Sequence, residues 1–266
     1  MKSALQAATV VLWAAVCLAA HDTWLVPQRF RVEVGRPVQV ALNTSEAFPA
    51  SEAAAAPDRI ASFEAVTASG RAPVSGYRVD GNSLVAEVTP GPGTTIVAAA
   101  TKPRLIVLKP EDFNGYITAE RLEAIVAARK ARGDDDNDGR ERYSKIAKLA
   151  LCAPKPAAVA FEKPLGLKVE ILPLTDPCEL EQGRELAVQV LFDGKPLAGV
   201  WLTGGYAGVR GHDYPVWVRT DAEGRARVKL DRKGAWFVRV LHMVPSNEFE
   251  DADWQSWFST FTFEVR

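Results

Sequence analysis

The sequence has few histidines and cysteines, two residue types that commonly bind transition metals. The 266 residues include three histidines and three cysteines. There is no Gly-x-Ser-x-Gly elbow of the serine hydrolases and no glycine-rich loop of the nucleotide-binding type. The formal net charge is −1 with both signs interspersed, so a nucleic-acid partner is not expected. After residue 20 no apolar run approaches the ~20 residues that a membrane helix requires, so the mature chain is not expected to be embedded in a membrane.

The first 20 residues have the pattern of a secretory signal peptide. Lys2 provides a charged start, residues 7–16 form an apolar segment, and Ala19 and Ala20 are the small residues of a cleavage site. Cleavage after Ala20 makes His21 the first residue of the mature chain, where it can chelate a metal through its free amine and a ring nitrogen. Cleavage after Ala19 leaves Ala20-His21, which still offers the amine, an amide and the ring. The alternative is that His21 binds no metal and only follows the leader at the start of an edge strand.

Two cysteines remain after the leader, Cys152 and Cys178. An even number in an exported chain favours a disulfide rather than free thiols or a thiolate metal site. The two residues are 26 positions apart, a spacing for which the chain-entropy model gives a stabilisation of about 3.5 kcal/mol.

Most of the chain alternates apolar and polar residues with a period of two, which predicts a mainly β protein. We expect an N-terminal β-sandwich lobe over residues 21–112, in which the alanine-rich segment 47–58 is a surface loop. About seven strands over residues 165–266 predict a C-terminal sandwich of the immunoglobulin-like type. Residues 113–164 are expected to form a connector with two short helices.

The connector shows apolar residues at helical spacing in two places. One helix is expected to begin at Thr118 and end at Gly133. A second helix is expected where Tyr143 and three small or aliphatic residues would share one face, namely Ile146, Ala147 and Ala150.

Between these helices, residues 134–139 match the first half of a calcium-binding loop. The twelfth position of such a loop, normally a bidentate glutamate, is Lys145. A solvated linker is therefore favoured over a calcium site.

The histidines form the one plausible reactive set. His242 ends a strand whose apolar residues Trp236, Val238 and Val240 share its face, so it should lie on the core side. His212 lies in a glycine-rich loop. With His21 these residues supply three imidazoles, which suit nickel, cobalt, copper or zinc. The alternatives are a half-buried His242 bonded to the backbone and a solvated His212.

Two further groups could assist such a site. Asp22 and Asp213, each next to a histidine, could be carboxylate ligands or could orient a ring nitrogen, although turn or capping roles are more usual. The acidic, aromatic segment 248–257 contains Trp254 and Trp257. It could attract cations or stack on sugars, but tryptophans that cover one end of the sandwich are the favoured interpretation.

Several motifs resemble a family of exported bacterial proteins associated with nickel and cobalt uptake, whose function is formally unknown. They are His21-Asp22-Thr23-Trp24-Leu25, residues 143–148, residues 170–174, residues 194–200, residues 220–224, residues 234–236, Leu241-His242-Met243 and residues 258–265. The later motifs also resemble transthyretin-like and carboxypeptidase-regulatory-like sandwiches, where they are structural turns. The resemblance implies a periplasmic β-rich protein that handles transition metals, with His21 and His242 as candidate ligands.

The sequence therefore favours an exported, soluble, non-enzymatic protein that binds a divalent transition metal, nickel, cobalt or copper. Its partner would be a membrane metal transporter, since the mature chain has no spanning segment of its own. Affinity should fall below about pH 6, because the amine and the imidazoles must be unprotonated. The alternatives are a module that binds glycans or cell-wall polymers, a copper-dependent oxidative enzyme with an N-terminal histidine ligand, and a sandwich without a ligand.

Overall fold

The computed structural model describes residues 21–154, 161–211 and 213–266. The expected signal peptide and His212 lie outside the described residues, so both stay predictions. Within these ranges the chain forms 18 β-strands, two α-helices and two short 3-10 turns.

The first half of the chain contains nine strands followed by the two helices. The strands are β1 (Asp22–Pro27), β2 (Val38–Ser45), β3 (Ala53–Ala54), β4 (Ile60–Thr67), β5 (Gly70–Pro73), β6 (Arg78–Asp80), β7 (Ser83–Val88), β8 (Thr94–Thr101) and β9 (Arg104–Leu108). The helices are α1 (Pro110–Ala119) and α2 (Glu123–Arg132).

The second half contains nine further strands. They are β10 (Gly139–Cys152), β11 (Val169–Pro173), β12 (Glu185–Phe192), β13 (Lys195–Pro196), β14 (Trp201–Tyr206), β15 (Val216–Arg219), β16 (Arg225–Lys229), β17 (Gly234–Pro245) and β18 (Trp254–Val265).

These strands form three sheets. A five-stranded sheet has the order β1-β2-β7-β6, with β3 paired to β2. A nine-stranded sheet has the order β15-β14-β17-β18-β10-β8-β4-β5, with β9 paired to β10. A four-stranded sheet has the order β11-β12-β13, with β16 paired to β12. The β10–β18 pair is parallel, whereas the other ladders of named strands are antiparallel.

The nine-stranded sheet is the middle of three layers, because its two faces belong to different hydrophobic cores. One face packs on the four-stranded sheet, and this core includes Ile96, Ile146, Val188, Trp236 and Phe261. The other face packs on the five-stranded sheet, and that core includes Val40, Leu84, Val97, Ala147 and Leu149. Adjacent residues such as Ile96 and Val97 enter opposite cores, as the period of a strand requires.

The helix predicted around Tyr143 to Ala150 is wrong, since these residues lie in strand β10. Ile146 and Ala150 face one core while Ala147, Leu149 and Leu151 face the other. A strand buried on both faces carries a nearly continuous apolar sequence, so it loses the alternation that marks a half-buried strand. The positions of Ile146, Ala147 and Ala150 in this strand therefore match the spacing of one helix face, which explains the wrong prediction.

The other predicted helix is correct at its end and wrong at its start. Helix α2 stops at Gly133, which has a left-handed φ of 69°. Thr118, the expected cap, instead lies in the last turn of α1, where its hydroxyl donates to the carbonyl of Asn114. Among the described residues, both helices therefore precede β10.

The mainly β fold with sandwich packing is confirmed, and so is the disulfide between Cys152 and Cys178. The domain limits near residues 112 and 164 stay a prediction. The middle sheet contains strands from both sides of these limits, for example β8, β10 and β18.

The aspartate-rich segment before β10 is a turn without the ligand set of a calcium loop. The guanidinium of Arg129 donates to the carbonyls of Asp134 and Asn137, and Asp138 pairs with Lys109. Lys145, at the position of the missing glutamate, lies within β10.

Candidate functional site

His21 lies directly before β1, with its side chain buried between two glutamates. Its Nε2 is 3.3 Å from Oε1 of Glu46, and its Nδ1 is 3.5 Å from Oε2 of Glu52. The side chain of His21 is 8% exposed, whereas those of Glu46 and Glu52 are about half exposed, at 55% and 49%. We call these three residues the His21 site.

Strand pairing explains how the three residues meet. In the β1–β2 ladder Asp22 is opposite Ser45, so the residue before β1 lies beside the residue after β2. The chain then turns back, and the amide of Glu52 donates to the carbonyl of Thr44 at 2.8 Å. The turn thereby brings Glu52 to the second ring nitrogen.

The two nitrogens of His21 are not equivalent. Nδ1 is buried and forms no hydrogen bond with any of the described residues, although Oε2 of Glu52 is 3.5 Å away. A buried polar atom without a partner is uncommon and needs a physical reason. Nε2 is the atom that faces Glu46.

Lys145 forms a hydrogen bond with the backbone of His21. Its Nζ donates to the carbonyl oxygen of His21 at 2.9 Å. Burial lowers the pKa of Lys145 to about 7, although the carboxylates of Asp22, Glu141 and Glu120 oppose this effect. Burial likewise raises the pKa of Glu141 to about 7, while the hydroxyl of Ser256 and the charge of Lys145 act in the other direction.

Asp22 anchors β1 to the middle sheet and is not available as a ligand. Its carboxylate accepts hydrogen bonds from Nε of Arg239 and, at 2.6 Å, from the hydroxyl of Tyr214. Arg239 also binds Glu120 through both terminal nitrogens, at 2.7 and 2.6 Å. Asp22, Glu120 and Arg239 are all nearly inaccessible to solvent.

His242 lies on the core side of β17, as predicted, but the structure does not bring it to His21. Its ring packs edge-on against Phe192 at 4.6 Å, in the core shared with the four-stranded sheet. Arg239, which binds the residue after His21, points to the opposite face of the same strand. The middle sheet therefore separates the two histidines. Burial lowers the pKa of His242 to about 4.

His212 lies outside the described residues, but the chain on either side of it contacts the surroundings of the His21 site. The amide of Gly211 donates to the carbonyl of Glu46 at 2.6 Å, and Tyr214 binds Asp22. Asp213 is exposed.

The acidic, aromatic segment does not present a sugar-stacking surface. Trp254 is 1% exposed and Trp257 is 5% exposed. Trp254 packs with Met243 and Ile125, and the guanidinium of Arg132 covers its ring at 5.1 Å. Both tryptophans lie in strand β18 rather than in a connection, and Trp257 packs in the core shared with the four-stranded sheet.

Among the described residues, no group of three or more histidine, cysteine, aspartate or glutamate side chains is placed to hold a metal ion. A metal at the His21 site would therefore need a donor beyond the side chains. Sequence reasoning missed Glu46 and Glu52, because their contact with His21 depends on a strand pairing that no local motif indicates.

Among the described residues, no helix combines the length and the apolar character needed to cross a membrane.

Comparison with solved structures gives distant likenesses. The D0-D1 domain of intimin is 12% identical, with 90% of this chain and 96% of that chain covered and a TM-score of 0.22. The Escherichia coli adhesin FdeC is 12% identical, with 92% and 63% covered and a TM-score of 0.26. The Yersinia pseudotuberculosis adhesin InvE is 13% identical, with 92% and 59% covered and a TM-score of 0.24. This chain thus spans about three fifths of the length of the last two.

Comparison with families gives a match along most of the chain. No curated protein matches the sequence. The family model described as a domain of unknown function, DUF4198, matches residues 18–244. This span runs from the end of the expected leader to strand β17 and includes the His21 site. The chain belongs to the DUF4198 family.

Proposed function

We propose that this protein is exported and binds a divalent transition metal ion as cargo, at the N-terminus created when the leader is cleaved before His21. The observation that carries the proposal is the buried Nδ1 of His21, which forms no hydrogen bond with any of the described residues. The free amine and this nitrogen, both on one residue, would form a chelate ring around the ion.

The two glutamates have different roles in this proposal. Glu52, whose Oε2 is 3.5 Å from Nδ1, is the natural third donor. Glu46 faces the other ring nitrogen at 3.3 Å, where a carboxylate fixes the tautomer and increases the basicity of the metal-binding nitrogen. The set of one amine, one imidazole and carboxylate oxygen suits nickel, cobalt or copper.

The backbone around the site is already ordered. Lys145 holds the carbonyl of His21, and Arg239 and Tyr214 hold Asp22. Ion binding would therefore order few additional groups, and less of the binding free energy would be lost.

Two further observations support the wider role. The Cys152–Cys178 disulfide suits an oxidising compartment such as the periplasm. The resemblance to proteins associated with nickel and cobalt uptake agrees with capture or delivery of metal. A membrane transporter would be the receiving partner.

The test is a competition titration with Ni²⁺, Co²⁺ and Cu²⁺ against a chromophoric chelator, on protein whose first residue is His21. Acetylation of the terminal amine of His21 should weaken binding more than tenfold, since an amide nitrogen is a poor metal donor. Glu52→Gln should also weaken it, and Glu46→Gln should cost about 10- to 100-fold.

The matched controls are His242→Gln and Glu33→Gln, which remove the same residue types away from the site. Both should bind like the wild type. Equal affinity in His21→Ala and in the wild type would end the proposal.

The copper-dependent oxidative enzyme would use the same end group. The two functions differ in their readout, because oxygen consumption with copper and a reductant would accompany oxidative chemistry. A pure carrier would bind copper without it.

A further inference from the structure

A polar cleft lies beside the His21 site, between the edge of the five-stranded sheet and strands β9 and β10. Its volume is about 340 Å³. Its walls include the alanines at 53–56, the hydroxyl-bearing residues Thr23, Thr44 and Tyr143, and the cations Arg59, Arg104 and Lys145. Cavities of about 300 Å³ and above are typical of small-molecule sites.

Two of the three cations lie close to the ring of Tyr143. The guanidinium carbon of Arg59 is 5.7 Å from the ring centre, and Nζ of Lys145 is 5.2 Å from it. Arg104 is the register partner of Tyr143 in the β9–β10 ladder. Positive charge is therefore concentrated on one wall.

The cations of the cleft differ in the groups that interact with their positive charge. Lys145 interacts with the carboxylates of Asp22, Glu141 and Glu120 on its buried side. Arg59 donates to the carbonyl of Lys102 at 2.8 Å and to the hydroxyl of Thr101 at 3.4 Å, both neutral groups.

Arg104 is exposed and forms no ion pair with a carboxylate of the described residues, and the same holds for Arg59. Among the described residues that line the cleft, Asp58 is the one acidic residue. The cleft thus carries an excess of positive charge with two arginines left to bind an anion.

We propose that this cleft binds a small organic anion with two or three carboxylate groups. Two separate guanidinium groups match two separate carboxylates, because each planar guanidinium can donate two parallel N–H groups to the oxygens of one carboxylate. The hydrogen bonds to Thr101 and Lys102 already orient Arg59. The alanines at 53–56 suit the carbon skeleton, and the hydroxyls of Thr23 and Thr44 suit polar groups along it.

The position of the cleft connects it with the metal site. Thr23 is close in sequence to His21, and Ala53 follows Glu52 directly. The anion is therefore suited to be the organic chelator that accompanies the metal. That last assignment rests on the proposed function, whereas anion binding itself does not.

Citrate is the probe, titrated calorimetrically into metal-free protein. Binding is expected, and Arg59→Gln and Arg104→Gln should each weaken it about tenfold or more, or about 1.4 kcal/mol. The double variant should give no measurable heat of citrate binding. Arg36→Gln and Arg227→Gln, which remove exposed arginines of other ion pairs, should leave it unchanged.

His21→Ala keeps the two hypotheses distinguishable. Citrate binding that survives in this variant while metal binding is lost supports both sites. Absence of citrate binding to the wild type, equal binding in the folded double variant, or binding of inorganic phosphate in preference to citrate would overturn the carboxylate site. None of these results would decide whether His21 binds metal.

Discussion

Buried charge is the dominant feature at the scale of single residues. Lys145 and Lys148 are 5% and 1% exposed, and Arg239 is 1% exposed. Lys148 is paired with Glu170 at 2.7 Å, and the same carboxylate accepts backbone amides such as that of Leu165. Pairs of this kind add little net stability, but removal of one partner costs about 3–5 kcal/mol, since an unbalanced charge stays buried. They fix how the segments pack.

His242 predicts a pH dependence of stability. Its pKa is about 4 in the folded protein and near 6.5 when unfolded, because burial disfavours the charged ring. Below pH 6.5 the unfolded chain binds a proton that the folded chain does not. The free energy of unfolding should therefore fall as the pH drops from 6.5 towards 4, by about 2 kcal/mol between pH 7 and pH 5.

Urea denaturation of the wild type and of His242→Phe at both pH values measures this contribution. The variant should lack this part of the decrease while keeping the aromatic contact with Phe192. Identical pH slopes in the two proteins would assign the effect to other groups.

At the scale of elements, β10 determines most of the architecture. It pairs with β18, β8 and β9, and its two faces enter two different cores. Its first residue, Gly139, lies directly against the ring of Phe113 in α1. A Cβ at position 139 would be 2.1 Å from Cγ of Phe113, which is fully buried. The close approach of α1 to β10 therefore depends on glycine.

Gly139→Ala should destabilise the protein by about 1–3 kcal/mol, because the ring of Phe113 must move in a filled core. Gly115→Ala is the matched control within α1, since a Cβ there meets nothing within 4 Å. The control should be neutral or stabilising by up to about 1 kcal/mol, through helix propensity. Chemical denaturation of both variants checks the prediction, and equal stabilities would contradict it.

At the scale of the whole molecule, the disulfide joins the end of β10 to the 3-10 turn Pro177–Glu179, which follows β11. It thereby connects the middle sheet to the four-stranded sheet. The two cysteines are 26 residues apart, and the closed loop contains residues 155–160, outside the described ranges.

The double variant Cys152→Ser/Cys178→Ser should lose about 3.5 kcal/mol of unfolding free energy, as the unfolded chain gains the entropy of an open loop. Guanidinium denaturation of this variant and of the reduced wild type should give matching losses. An unchanged midpoint in both would show that the loop contributes little.

Part of the candidate site could be predicted from the sequence. The position of His21 after a cleavage pattern and the core-side position of His242 are local features. The face of His242 follows from the alternation Trp236, Val238, Val240. Glu46, Glu52 and the cleft around Tyr143 have no such local signal.

The sequence by itself determined the β character, the end of the second helix at Gly133 and the disulfide, because alternation, a left-handed glycine and an even number of cysteines act locally. Only the tertiary structure decided that residues 143–150 form a strand, since burial on both faces erases the alternation. It also decided that the middle sheet separates His21 from His242, and that two glutamates surround His21. Strand order and register set these distances, and both depend on the packing of the whole chain.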